Sequence, residues 1–272
     1  MQRVKLHSSI ASESYKLVDG EKLYFLKTLK VSIIRNLDSS ERSRIRKRLL
    51  GIISPYLVKV ENISFNGDII TITTEFIKGV PLNNVIELKK YGKIMSNEYK
   101  YSLVRSLAAG LKALHEAGLI HGDFKTSNII IENGSLIPKI TDFCFNYVKF
   151  RSRRIPFFSK FIKRYRYALF SSRNYMPPES FFNQNLGKHI DYYALGISSF
   201  RIMTGRYPVP FRLLNSEEEL IKWKISPEHD RYYLSNLEKA NIPMDTLNLI
   251  LNLIINYKDE IDLDQIEKEF GL

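Results

Sequence analysis

Three things are scarce in this sequence. Cys144 is the only cysteine among 272 residues, which excludes an internal disulfide framework and a cysteine-cluster metal site. Long apolar runs are missing too. The best, Leu247 to Ile255, is interrupted by Asn248 and Asn252 and is too short to span a bilayer. The opening stretch, MQRVKLHSSIASES, has no apolar core of signal-peptide length. A soluble, cytoplasmic protein is the expectation. Acids are the third shortage: 29 Asp and Glu stand against 41 Lys and Arg, a net charge of +12. Such a balance predicts an acidic or anionic partner (phosphates, nucleic acid or an anionic membrane) and says nothing about fold. What is plentiful is apolar surface. With 44% apolar and 12% aromatic residues, the chain can bury a full core in one or two domains.

No repeat or low-complexity tract organises the chain. Residues 1–78 read as short strands around one basic helix. EKLYFLKTLK alternates as a strand, with Leu23, Phe25, Lys27 and Leu29 on one side. DSSERSRIRKRLLGI opens with helix-cap chemistry at Asp38 to Ser40 and keeps helical spacing through Ile45 and Leu49. VKVENISF and DIITITTEF follow as two strands joined by an Asn66-Gly67 turn. Residues 79–272 change character and turn helical. NEYKYSLVRSLAAGLKALHEAG sets Leu103, Leu107, Leu111 and Leu114 on one face and stops at Gly118. Strands first and helices later predict an α+β protein with a boundary near residues 76–80.

One segment concentrates chemistry. HGDFKTSN, residues 121–128, packs His121, Asp123, Lys125 and Asn128 together, after a helix and before NIIIENGSLIPKITDF. That continuation reads as two short strands around an Asn133-Gly134 turn, the second ending in Asp142. Asp123, Asn128 and Asp142 can therefore converge at one end of a small hairpin. Phosphoryl transfer needs oxygen ligands for Mg²⁺, a carboxylate that orients the attacking hydroxyl, and a cation near the transferred group. Asn128 and Asp142 suit the metal, Asp123 the hydroxyl and Lys125 the charge. The plainer reading is a helix-to-strand turn with satisfied polar caps.

Beyond that segment, the chain resembles the protein-kinase superfamily, in its eukaryotic-like Ser/Thr branch. HGDFKTSN is similar to H-R-D-x-K-x-x-N, and TDFC at 141–144 to D-F-G. RNYMPPE at 173–179 resembles the segment ending in A-P-E. DYYALGI at 191–197 and MTGRYP at 203–208 resemble D-x-x-x-x-G and T-G-x-x-P. LYFLK at 23–27 stands at the V-A-I-K position and TEFIKG at 74–79 at the hinge. Seven motifs lie in family order across nearly the whole chain. The resemblance implies a bilobal fold, with a small β-rich N-lobe (1–78) and a larger helical C-lobe (79–272), acting on ATP with Mg²⁺. It implies that Lys27 holds the α- and β-phosphates, that Glu75 and Ile77 offer backbone groups to adenine, and that Thr74 is the small gate residue. Asp123 and Lys125 would be catalytic, with Asn128 and Asp142 on the metal. Ser172 would bridge Asp123 and Lys125, favouring a serine or threonine acceptor.

Five departures from the family pattern stand out. SSIASESYKLVDG has no glycine before Gly20 where a glycine-rich loop would cover ATP. Phe25 replaces a small residue facing adenine. Arg44-Ile45-Arg46 occupies the usual place of the glutamate that pairs with the strand lysine, so Glu41, one turn earlier, is the expected partner of Lys27. Cys144 replaces a glycine, and Gly122 replaces the arginine that neutralises an activation-loop phosphate.

Residues 149–173 form a basic stretch without an acid. Lys149, Arg151, Arg153, Arg154, Lys160, Lys163, Arg164, Arg166 and Arg173 are interleaved with aromatics such as Phe157, Phe161 and Tyr165. In a kinase this segment borders the acceptor. It is the expected contact for an acidic protein, a phosphorylated glycolipid or a membrane surface, while nothing resembles a groove-reading nucleic-acid motif. A solvated loop is the plainer alternative. Three function classes follow: a Ser/Thr protein kinase, a small-molecule kinase such as those acting on lipopolysaccharide sugars, and a pseudokinase scaffold.

Overall fold

A computed structural model describes residues 2–8, 12–30, 38–67, 69–88, 95–143, 173–181, 187–213, 216–258 and 261–270. The first five strands are β1 (Gln2–Ser8), β2 (Ser12–Asp19), β3 (Lys22–Lys30), β4 (Val60–Asn66) and β5 (Ile69–Glu75). They form one antiparallel sheet in the order β1-β2-β3-β5-β4. Gly67 takes φ 58° at the turn between β4 and β5, a conformation that glycine adopts without strain. Helix α1 (Ser39–Leu50) starts where Asp38 accepts the Glu41 backbone N–H and buries Ile45 and Leu49, which fixes its position beside β4.

After Glu75 the chain leaves this sheet and enters another, β6 (Gly79–Pro81), β7 (Ile129–Glu132) and β8 (Pro138–Ile140), in the order β6-β7-β8. The further α-helices among the described residues are α2 (Leu82–Glu87), α3 (Asn97–Glu116), α4 (His189–Thr204), α5 (Glu217–Lys224), α6 (Pro227–Glu238), α7 (Met244–Ile255) and α8 (Leu263–Glu269). The architecture is α+β, a β-rich N-terminal region on a helical C-terminal one. One apolar cluster runs through both, from Leu29 and Ile72 to Leu253 and Phe270.

α3 buries the leucine face read from its spacing, Leu103, Leu107, Leu111 and Leu114. α4 is different, with burial all round from Ile190 to Met203, so it serves as the central post of the helical region. The Leu247 to Ile255 run lies in α7 and buries Leu247, Ile250, Leu253 and Ile254 in that core. No described helix is long and apolar enough to cross a membrane.

Candidate active site

Residues 121–128 connect α3 to β7, and their shape is dictated from beneath by α4. Asp191, fully buried in the first turn of α4, accepts the backbone N–H of His121 at 2.8 Å and of Gly122 at 2.9 Å. His115 Nε2 lies 2.9 Å from the same carboxylate. Burial alone would push the Asp191 carboxyl up. The hydrogen bond and charge of His115, with the Gly122 N–H, outweigh it and hold the group below its ordinary value. Gly122 sits at φ 72°, which favours glycine and lets two successive N–H groups converge on one carboxylate.

His121 supplies the next constraint. Its Nε2 is 3.0 Å from the Thr141 carbonyl, an acceptor only, so Nε2 carries the proton. Nδ1 is then the acceptor for the Asp123 backbone N–H at 3.3 Å. Burial lowers the His121 pKa, in keeping with a neutral ring in this tautomer. Thr141 also donates its N–H and its hydroxyl to the Asn128 carbonyl, at 2.8 and 3.0 Å. The two ends of the hairpin are thus tied, and Asp142 follows with φ 66°.

Asp123, Lys125, Asn128 and Asp142 come together on this frame. Asp123 Oδ2 accepts from Lys125 Nζ at 2.8 Å. Asn128 Nδ2 donates to the Asp123 carbonyl at 2.9 Å. Asp123 Oδ1 is buried and has no hydrogen-bond partner among the described residues, a costly state that a donating group would relieve. Asp142 Oδ2 reaches across to Lys27 Nζ on β3 at 2.9 Å.

Above these groups lies a cleft of ≈ 310 Å³, lined among others by Phe25, Lys27, Thr74, Ile77, Ile130 and Asp142. That volume suits a small organic ligand. Its rear wall is β5, where Thr74 is buried. The Glu75 N–H is taken by the Lys59 carbonyl at 3.0 Å and the Phe76 N–H by Leu23 at 3.3 Å. The Glu75 carbonyl accepts from the Thr74 hydroxyl at 3.0 Å and keeps a second lone pair. The Ile77 N–H has no backbone partner among the described residues.

The expected pairing of Lys27 with Glu41 is not made. The carboxylate that meets Lys27 is Asp142, and Glu41 is absent from the cleft lining. The reason lies in the helix. α1 is fixed by Asp38 capping the Glu41 N–H and by Ile45 and Leu49 in the core, which holds Glu41 in the first turn. Cys144, Ser172 and the basic stretch apart from Arg173 lie outside the described residues, as do residues 9–11 between β1 and β2.

The spacing arguments left Asp191, Thr126, Tyr175 and Arg201 without roles. Asp191 had a legible signal, an acid opening the otherwise apolar DYYALGI. Arg201 had a fainter one of the same kind, a lone cation in a helix that the structure buries on every side.

Comparison with known proteins agrees with this geometry. The protein kinase domain family matches residues 11–256. Similar curated proteins include cAMP-dependent protein kinase type 3 of Saccharomyces cerevisiae, 23% identical over 69% of this chain and 43% of that protein. Serine/threonine-protein kinase D of Synechocystis is 27% identical over 71% of this chain and 37% of that protein. The chain therefore spans less than half the length of these relatives. Among solved structures, Rad53 residues 1–466 in complex with AMP-PNP superposes with a TM-score of 0.65 at 18% identity, covering 96% of this chain and 61% of that one.

Proposed function

The chain belongs to the protein kinase domain family, and from that premise we propose that it transfers the γ-phosphate of ATP to serine or threonine hydroxyls of a protein. The observation that carries this reading is the Lys27–Asp142 ion pair in the cleft, beside the hydrogen-bonded cluster of Asp123, Lys125 and Asn128 that Thr141 ties to Asp142. The residues present fit the nucleotide and its metal. Asp142 offers carboxylate oxygens, and Asn128, with its NH₂ turned to Asp123, keeps its amide oxygen for a ligand. Both are the hard oxygen donors that Mg²⁺ takes. Bound there, Mg²⁺ would neutralise phosphate charge during transfer.

The chain's own residues do the rest. Ile77 N–H and the Glu75 carbonyl present a donor and an acceptor to the edge of adenine, with Thr74 behind them. Lys27 exchanges part of its contact with Asp142 for phosphate oxygens. Asp123 receives the acceptor hydroxyl on its unpartnered Oδ1, orienting it for attack, while Lys125 keeps positive charge beside Asp123. The serine or threonine preference rests on Lys125, on the position of Ser172 in the sequence and on the Ser/Thr kinases among the relatives. An anionic acceptor, recognised through residues 149–173, is proposed from the nine cations there.

The test is incubation of the full chain with γ-labelled ATP, Mg²⁺ and casein or histone, followed by acid hydrolysis of the labelled protein. Phosphoserine or phosphothreonine supports the reading. Label confined to phosphotyrosine removes the Ser/Thr assignment, and no transfer beside tight ATP binding moves the chain to the pseudokinase class. That second class has one observation in its favour, the Lys27–Asp142 ion pair standing where Glu41 was expected.

A further inference from the structure

Arg201 is a cation with 5% of its surface exposed, in the last turn of α4. Its Nη1 donates to the Thr126 hydroxyl at 2.9 Å and to the Tyr175 hydroxyl at 3.0 Å. Its Nη2 donates to Glu87 Oε1 at 2.5 Å. The Thr126 and Tyr175 hydroxyls are themselves 3.0 Å apart, so the three groups close a triangle. Each of the three partners of Arg201 belongs to a different segment. Thr126 lies three residues from Asp123 in the catalytic segment. Tyr175 lies in 173–181, which follows the basic stretch. Glu87 ends α2, directly after the cleft-lining Gly79 and Pro81.

Stability alone does not account for this arrangement. Burying a guanidinium is costly, and Arg201 Nε is buried with no hydrogen-bond partner among the described residues. An apolar side chain of similar volume would avoid both costs. A planar fork with several donors does what an apolar residue cannot, which is to fix the relative position of three separate segments.

On the reading that the chain is a protein kinase, we propose that Arg201 is a positioning residue for the acceptor. It sets the register of segment 173–181, through Tyr175, against the catalytic aspartate, through Thr126. Its bond to Glu87 ties the same register to the strand-helix unit that borders the nucleotide cleft. Arg201 touches neither nucleotide nor the reacting atoms. Its loss is felt in how well the acceptor is held, because Tyr175 is then free to shift relative to Asp123.

The test uses the full chain with casein and histone as acceptors and compares Arg201→Met, Arg201→Lys and Tyr175→Phe with wild type. Acceptor KM should rise about tenfold in Arg201→Met, the effect expected for losing charge-assisted hydrogen bonds. Tyr175→Phe should move KM the same way by a smaller factor, and Arg201→Lys should restore part of the loss. The affinity for ATP with Mg²⁺, measured by titration, should stay within about twofold of wild type, since no nucleotide contact is altered. An unchanged acceptor KM in Arg201→Met and Tyr175→Phe overturns the proposal while leaving the kinase reading intact. So does a fall in ATP affinity that parallels the loss of transfer. If Arg201→Met fails to fold, Tyr175→Phe, which deletes one hydroxyl, decides by the same criteria. Absence of transfer by the wild-type chain would overturn both readings together.

Discussion

Asp191 does no proton chemistry in this account, yet two backbone N–H groups and His115 converge on its carboxylate. Removing it by Asp191→Ala would leave those donors buried and unpaired, at a cost of roughly 3–5 kcal/mol, measurable as a lower urea midpoint together with lost transfer. Its folded pKa lies below the ordinary carboxylate value. Its stabilising contribution is therefore complete above that ordinary value and is lost as pH falls through the lowered one. Lys224 is shifted in the same direction, by burial of its charged form. Its Nζ donates to the Asn174 carbonyl at 3.2 Å and to the Tyr193 hydroxyl at 2.9 Å. Burial pushes its pKa down to about 7, with the charge of Glu179 opposing. Between that value and the ordinary 10.5 of lysine the unfolded chain binds more protons than the folded one, so stability rises with pH. Thermal melting should show that rise across this window, and Lys224→Met should flatten it. A wild-type midpoint that falls across the same window would contradict the assignment. Spacing placed Asp191 in a motif but gave neither residue its buried role. What sequence shows is a charged letter in an apolar context, and which buried groups face it depends on distant segments, 70 residues away in the case of His121 and Asp191.

Between elements, two glycines separate close packing from tolerance. A Cβ at Gly196 on α4 would lie 2.8 Å from Leu253 Cβ and 2.8 Å from Ile254 Cγ1 on α7. Those atoms sit close to a helix backbone and have little room to move. Gly196→Ala should cost about 1–3 kcal/mol by overpacking, read as a drop in melting temperature. At Gly110 on α3, the nearest atom to a Cβ is Ile140 Cδ1 at 2.5 Å, the end of a flexible side chain. Gly110→Ala should destabilise less, and the reverse ranking would contradict the packing described. Element types were legible for physical reasons. The leucines of α3 recur on one face, Asn66-Gly67 sits between alternating strands, and Asp38 precedes a helix. β1 was not, because all seven of its residues are exposed and no burial alternation marks it. The partner of Lys27 was misjudged for a related reason. The sequence puts Glu41 on the next helix, but the capping of α1 by Asp38 and the burial of Ile45 and Leu49 decide where Glu41 lies.

For the whole molecule, the proposed function rests on a cleft between the five-stranded sheet and the hairpin of β7 and β8. Lys27 comes from the sheet and Asp142 from the end of the hairpin, where Thr141 ties it to the segment of Asp123 and Asn128. A ligand that binds across such a cleft stabilises the folded chain by mass action. At a hundredfold excess over Kd the gain is about 2.7 kcal/mol, so ATP with Mg²⁺ should raise the melting temperature, and chelating the metal should reduce the shift. The cluster of Asp123, Lys125, Asn128 and Asp142 was readable from motif spacing because these residues lie within one continuous stretch, 121–142. The measurement that bears most directly on the account is transfer of labelled γ-phosphate by Asp123→Asn, set beside its affinity for ATP with Mg²⁺. The account predicts that affinity stays near wild type while transfer to protein falls by about a hundredfold or more, the contribution of a lost orienting base. Transfer equal to wild type in a clean preparation of the variant would contradict it.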